Sequence, residues 1–268
     1  MKLLSHPIHP KPGIVARRRC SLRGLAVALF VACALPSGAT FTTGDLVPDV
    51  PGATFTGFGV PAINAGGKIA FLGKFTAPSG SGAAIIADSK LVVKVGDVID
   101  GTTSVKSLLD PVIDDLGNVA FLATLSGPGI DTSNAVAVLS NVDGFLRVVA
   151  QQGAPLTVTT GPIPVWKSFT SVAVVSRRAL IVGAIDGTGI TALNSKVLCA
   201  AGPGYGENGT ILLQTGTAAP SRKVLKNFAV LKSVTTVPGQ TRAFNANKLV
   251  YKAVFIDGTQ AIDDLDLP

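Results

Sequence analysis

An eleven-residue phrase recurs in this chain without a gap. Residues Pro61-Ala-Ile-Asn-Ala-Gly-Gly-Lys-Ile-Ala-Phe71 return as Pro111-Val-Ile-Asp-Asp-Leu-Gly-Asn-Val-Ala-Phe121. Worn copies follow at 171–181 and around 245–251. A repeat of this length means one supersecondary unit stacked several times, each burying its apolar face on the next. Shorter glycine phrases mark the period at Gly44, Gly96, Gly153 and Gly216, and each interval is longer than the one before it. Such drift suits loops that grow between fixed strands. It does not suit a coiled coil or a leucine-rich repeat, whose units are shorter.

Within repeat one the pattern predicts strands at 58–63, 68–75, 83–87 and 91–95. Repeat two predicts 108–113, 118–125, 135–140 and 145–150. Turn-formers separate them, at 64–67, 77–82 and 141–144. No stretch carries a capped 3.6-residue apolar period, so few helices are expected. Asn64 and Asp114 can bond backbone N–H groups two residues on. Gly67 and Gly117 then supply the positive φ that closes a hairpin. Repeat four keeps Asn245 and places Asn247 near the glycine slot, whereas repeat three has Val174 and Arg177 there, so its turn must differ. The second strands, Ile69-Ala-Phe-Leu and Val119-Ala-Phe-Leu, are apolar on both faces, as in a sheet covered on both sides. The expected fold is therefore all-β and β-propeller-like, with about four repeats of four-stranded antiparallel sheets. Phe71, Phe121, Ile181 and Tyr251 should hold equivalent places between sheets. Repeat four lacks its fourth strand, and residues 40–43 lie where a fourth strand normally ends. Either that segment completes the last sheet and closes the ring, or the chain is part of a longer array.

The N-terminal segment, 1–39, reads as an export signal. Lys2, Lys11, Arg17, Arg18, Arg19 and Arg23 make a basic start without an acid, residues 25–35 form an apolar run, and Pro36-Ser-Gly-Ala39 offers small residues for cleavage after Ala39. Eleven apolar residues are too few to span a bilayer, which needs about 20. The organisation expected is a signal peptide at 1–39 and one repeat domain at 40–268, with repeats approximately 44–95, 96–152, 153–215 and 216–268. The destination is periplasmic, cell-surface or extracellular, by general secretion or the twin-arginine route.

Removing the leader changes the charge. The chain carries 23 Lys+Arg against 16 Asp+Glu, net +7. Residues 40–268 keep 17 basic and 16 acidic side chains. A nucleic-acid partner argued from basicity therefore fails. The leader also takes both histidines, His6 and His9, the only Met, and Cys20 and Cys33, leaving Cys199 and a single glutamate, Glu207.

The phrases Thr43-Gly44-Asp45…Pro48, Phe58…Pro61-Ala-Ile-Asn64-x-x-Gly67-x-Ile-Ala-Phe71 and Val254-Phe-Ile-Asp-Gly258 resemble an uncharacterised family of exported bacterial proteins. Its members repeat a "TGDPAPG…F…P.lN..G.vAF" unit. The resemblance covers nearly all of residues 40–268 and is strong in repeats one and two. It implies a propeller-like fold and carries no activity or catalytic residues. Members often have more than four repeats.

Chemistry is narrowed by what is missing. Without His, the Ser–His–Asp and Cys–His machineries and His/Cys metal sites are unavailable to residues 40–268. Cys199 reads as a small buried apolar residue. Gly202–Gly209 reads as a long hairpin loop and not as a phosphate cradle. Asp114-Asp115 and Asp263-Asp264-x-Asp266 lack a preformed calcium-loop layout and read as a turn cap and a solvated tail. Trp166 and Tyr205 are the large amphipathic aromatics expected in loops. No catalytic, cofactor-binding or metal-binding residue stands out, and no cofactor is implied. The reading that remains is a non-catalytic scaffold or binding protein, expected as a monomer that meets an unknown extracellular ligand or protein. The alternatives are an aspartate-dependent enzyme acting on glycan and a structural module of the cell envelope. Because the repeated letters serve hairpins and burial, a functional site should lie in loops where the copies disagree.

Overall fold

The computed structural model describes residues 41–157, 161–206, 208–230 and 248–267. These are all-β, with eighteen strands in four antiparallel sheets and no helix among the described residues. Sheet 1 holds β1 (Thr54–Phe58), β2 (Ala62–Ile63), β3 (Ile69–Ala77), β4 (Gly80–Ala87) and β5 (Lys90–Lys94). Sheet 2 holds β6 (Val98–Asp100), β7 (Thr103–Leu108), β8 (Val112–Ile113), β9 (Val119–Ser126), β10 (Val136–Ser140) and β11 (Arg147–Gln151). Sheet 3 holds β12 (Val165–Val175), β13 (Arg178–Asp186), β14 (Lys196–Ala201) and β15 (Thr210–Gln214). Sheet 4 holds β16 (Leu225–Ala229), β17 (Lys248–Phe255) and β18 (Gln260–Asp266). Each sheet is a meander.

The strands depart from the expected layout: β1 and β7 end at Phe58 and Leu108, where the expected first strands begin, and β6 has no counterpart among the expected strands. The first strand of repeats one and two is broken. β1 and β2 both pair with β3, and β7 and β8 both pair with β9, with Pro61 and Pro111 at the interruptions. Proline has no N–H to give to the ladder. Repeat three has no proline there, and β12 runs unbroken. The expected loop at 77–82 is mostly strand: β3 and β4 pair down to Ala77↔Gly80, leaving Pro78-Ser79 as a two-residue turn. The glycines read there as separators instead thin the sheet. A Cβ on Gly82 would collide with the Phe75 ring.

Side-chain alternation stacks the sheets. Odd-numbered Phe121, Ala123 and Leu125 of β9 bury against Ala70, Leu72 and Ile85 of sheet 1. Ala120 on the other face buries with Ile181 and Trp166 of sheet 3. Leu180 and Val182 turn the opposite way, toward Leu249, Tyr251 and Phe255 of sheet 4. Phe121, Ile181 and Tyr251 thus hold the same place, each facing the preceding sheet. Phe71 faces a cluster formed by Val47, Ala53, Phe55 and Phe75, with Phe41 against it. The expected place between sheets holds for Phe121, Ile181 and Tyr251, whereas Phe71 packs on its own sheet and the segment before it; the reading of the second strands as covered on both faces holds.

The glycine phrases prove to be joints. The N–H of Gly44, Gly96, Gly153 and Gly216 donates to the carbonyl of Phe55, Val105, Trp166 and Leu225, at 2.7–2.8 Å in every case. Each glycine has positive φ. One residue beyond each acceptor, the first strand carries a β-bulge, at register breaks 55/57, 105/107, 166/168 and 225/227. A bulge adds twist and ends regular pairing, and the glycine phrase then covers the freed edge.

Phe41 stands three residues before Gly44, as Val93, Ala150 and Leu213 stand three before the later glycines. Those three bury against sheets 2, 3 and 4, and Phe41 packs against sheet 1 with ring centroids 5.6 Å from Phe55 and 5.1 Å from Phe71. The segment therefore sits where a fourth strand ends, as its spacing suggested. Residues 41–43 nevertheless form no strand and do not pair with β18, so the strand closure expected of them is corrected to side-chain packing of Phe41 alone. The face of sheet 4 turned away from sheet 3 carries Lys248, Val250, Lys252, Ile262 and Asp264, with Lys248 paired to Asp264 and Asp266. Mixed charge of this kind suits the end of a stack.

Candidate functional site

In a meander, alternate turns fall at the same end. Here that end gathers the turns after β2, β4, β8, β10, β12 and β14, and we call it the turn end. Its residues are tied across repeats. Asn64 Nδ2 donates to the Asp114 carbonyl at 2.8 Å, and the Ala65 N–H donates to Asp115 Oδ1 at 2.9 Å. Asp114 accepts from the Leu116 N–H, the Asn118 N–H and Asn118 Nδ2, and the Arg177 N–H lies 3.4 Å from its Oδ2. The hairpins close as expected, with Asn64 N–H to the Lys68 carbonyl and Asp114 N–H to the Asn118 carbonyl. Asp114 and Asn64 are buried, so this rung holds three sheets in register. Asp114→Ala should lower unfolding free energy by about 1–2 kcal/mol by leaving the part-buried N–H donors of Leu116 and Asn118 unpaired. Asp114→Asn, which keeps an acceptor oxygen, should lose less. Paired urea titrations check the order.

Repeat three solves the same turn differently. Ser176 and Arg177 both have positive φ, 47° and 65°, and Val175 pairs with Arg178. This is a two-residue type I′ hairpin. It explains why no Asn-x-x-Gly pattern is found there. Asn245 and Asn247 of repeat four lie outside the described residues.

Among the clefts at the turn end are two formed by the described residues. One, of about 310 Å³, lies between sheets 1 and 2 and is lined by Lys68, Asp88, Lys90, Leu116, Phe145 and Leu146, among others. Leu116 and Phe145 are 63% and 65% exposed there, and Asp88 pairs with Lys68 at 3.1 Å. The other, of about 290 Å³, is lined by Ser176, Arg177, Arg178, Pro203, Gly204 and Tyr205. Arg177 Nε donates to the Val142 carbonyl of sheet 2 at 3.3 Å. Neither cleft is lined by two carboxylates, and no group of three His, Cys, Asp or Glu side chains converges among the described residues.

With this geometry in view, the comparison with protein families is decisive. A family of unknown function (DUF7453) matches residues 37–262. The chain belongs to that family. No characterised protein matches it. Membership in DUF7453 assigns no activity, so the site must be argued from its own residues.

For this DUF7453 chain the remaining sequence candidates fall in structural roles. Cys199 lies wholly buried on β14, and burial pushes its thiol up. In a chain carrying Cys20→Ser and Cys33→Ser, a maleimide should label Cys199 only after denaturation, followed by mass spectrometry. Trp166 lies on β12 and not in a loop, fully buried, its Nε1 donating to the Asn208 carbonyl at 2.8 Å. Asp263 accepts from the Tyr251 hydroxyl, and burial, with that carboxylate beside it, pushes the phenol up. Residues 202–209 connect β14 to β15 as the expected long hairpin loop and bring Tyr205 to the second cleft.

Sequence reading missed a second duplicated phrase. Gly127-x-Gly129-Ile130 with Asn134 recurs as Gly187-x-Gly189-Ile190 with Asn194. The wiring is the same in both loops. The Asn134 and Asn194 oxygens accept from the N–H of Asp131 and Thr191. Their Nδ2 groups donate to the carbonyls of Gly129 and Gly189, and Gln151 and Gln214 bond the two asparagine carbonyls. One constant offset relates every letter of the first phrase to its copy, and that offset was the available signal. These loops sit at the end opposite the clefts, and the side-chain oxygen and Nδ2 of each asparagine are taken up by bonds within its own loop.

Proposed function

We propose that this chain is an exported, non-catalytic, propeller-like scaffold that binds its ligand at the turn end. The observation that carries this reading is the make-up of the two clefts there. They offer exposed apolar and cationic side chains, while the one carboxylate among the described residues lining them, Asp88, is already paired with Lys68. Glycoside hydrolysis needs two carboxyl groups facing each other across the bond, about 5–10 Å apart. Binding needs only a concave surface with a few directed polar groups. The leader at 1–39 supports export, and N-terminal sequencing of the secreted chain should begin at Thr40.

The test is a glycan array with the exported chain, with and without calcium, beside the Leu116→Ser/Phe145→Ser and Arg177→Gln/Arg178→Gln variants. Retention of a ligand that is lost with one of these cleft changes, without turnover of the ligand, is expected. Hydrolysis of any array glycan that disappears with Asp88→Asn would replace this reading with the aspartate-dependent enzyme.

A further inference from the structure

Repeat three departs from its sisters at one place on the turn end, and the departure puts two arginines side by side in a cleft. Repeats one and two place a glycine at the left-handed residue of this turn, Gly67 and Gly117. Repeat three places Arg177 there, at φ 65°, behind Ser176 at φ 47°. Left-handed backbone is unfavourable for a residue with a Cβ, and such strain concentrates at ligand sites. The surroundings then hold the arginine in place. Its Nε donates to the Val142 carbonyl at 3.3 Å, and its terminal nitrogens have no protein partner among the described residues. Arg178 follows on β13, and both line the cleft with Pro203, Gly204 and Tyr205.

We infer that this cleft takes an oxyanion carried on a ring, that is, one carboxylated or sulfated sugar residue of an acidic polymer. This rests on the binding reading above. Guanidinium forks match carboxylate and sulfate oxygens and bond them more strongly than neutral donors do. Tyr205 and Pro203 offer flat apolar faces for the ring. The cleft volume of about 290 Å³ stands at the small end of ligand sites, roughly 300–1,000 Å³, which suits a single ring. Among the described residues that line the cleft there is no carboxylate.

The experiment is isothermal titration of the exported chain with polygalacturonate, dextran sulfate and neutral dextran. Binding of one or both acidic polymers and not of dextran is expected, and comparison of the two acidic arms separates carboxylate from sulfate. Affinity should fall with added salt. Arg178→Gln and Arg177→Gln should each weaken it roughly tenfold or more, the loss of a hydrogen bond to a charged group. Arg177→Gly removes the guanidinium while relieving the left-handed strain, so it should lose affinity without losing stability. Glu207 lies outside the described residues, and Glu207→Gln should keep or raise the affinity. Equal binding of dextran, no binding of either acidic polymer, unchanged affinity in the arginine variants, or loss with Glu207→Gln would each overturn the inference. If the arginine variants still hold a ligand that Leu116→Ser/Phe145→Ser releases, the anion site fails and the scaffold reading stands.

Discussion

Trp166→Ala should cost roughly 3–5 kcal/mol, the range for emptying a buried large aromatic position. Trp166 is fully buried between sheets 2 and 3, beside Phe169 at 4.9 Å between centroids. Its loss also strips the Asn208 carbonyl of the indole N–H. For a domain of this size the melting temperature should fall by roughly 6–20 °C. The chain has one tryptophan, so the variant must be followed by circular dichroism in urea, while the native chain gives a blue-shifted emission that moves red on unfolding. Trp166→Phe keeps most of the ring and loses only the N–H, and should cost less. A loss below about 1 kcal/mol for the alanine variant would mean that sheets 2 and 3 do not pack as described.

Gly73→Ala and Gly183→Ala should each be destabilising, but only the first should be reversible by a second change. The two glycines hold equivalent places on β3 and β13, where repeats two and four have Ala123 and Ala253. The residue opposite follows in size: Phe55 and Trp166 face the glycines, while Val105 and Leu225 go with the alanines. A Cβ on Gly73 would overlap the Phe55 ring and touch nothing else so closely. Such overpacking costs roughly 1–3 kcal/mol. Phe55→Val in the Gly73→Ala chain recreates the repeat-two pair and should recover much of that loss, a coupling of about 1–2 kcal/mol in a double-mutant cycle. At Gly183 the added methyl would overlap the Ser168 carbonyl oxygen as well as press on Trp166 at 2.8 Å. Backbone cannot be trimmed, so Trp166→Val should not rescue Gly183→Ala. Additive behaviour in the first cycle would refute the size-matching account.

Much of this architecture is written in short-range chemistry. Asn64, Asp114, Gly67 and Gly117 specify their hairpins because side-chain oxygens and positive φ act within a single turn. The two-faced apolar strands announce sheets covered on both sides, because burial follows alternation along the strand. The broken first strands are legible only in retrospect, through Pro61 and Pro111. The glycine phrases are visible as a period, but their role as donors to the following strand is not. Each acceptor lies in the next strand, across a loop whose length changes from repeat to repeat.

The site is less legible than the fold. Arg177 stands out in the sequence only as a misfit in the repeat, and Tyr205 only as an aromatic in a glycine-rich loop. Nothing local says that a turn after β12 and a loop after β14 share one cleft. Leu116 and Phe145 read as ordinary apolar residues because exposure is a property of the assembled surface. Trp166, expected in a loop, is core because it stands on β12 at the place that Phe55 and Val105 hold on β1 and β7, and it packs between sheets 2 and 3.

The sequence by itself determined that this chain is an all-β repeat, where its period falls, and which catalytic machineries residues 40–268 lack, since each of these depends on local pattern or residue count. Only the tertiary structure decided which side chains meet at the turn end, that Phe41 packs on the first sheet without extending the last, and that the acidic pairs serve turns and strands. Those outcomes depend on contacts between residues far apart in the chain, whose geometry is set by how the sheets stack and not by the letters next to them.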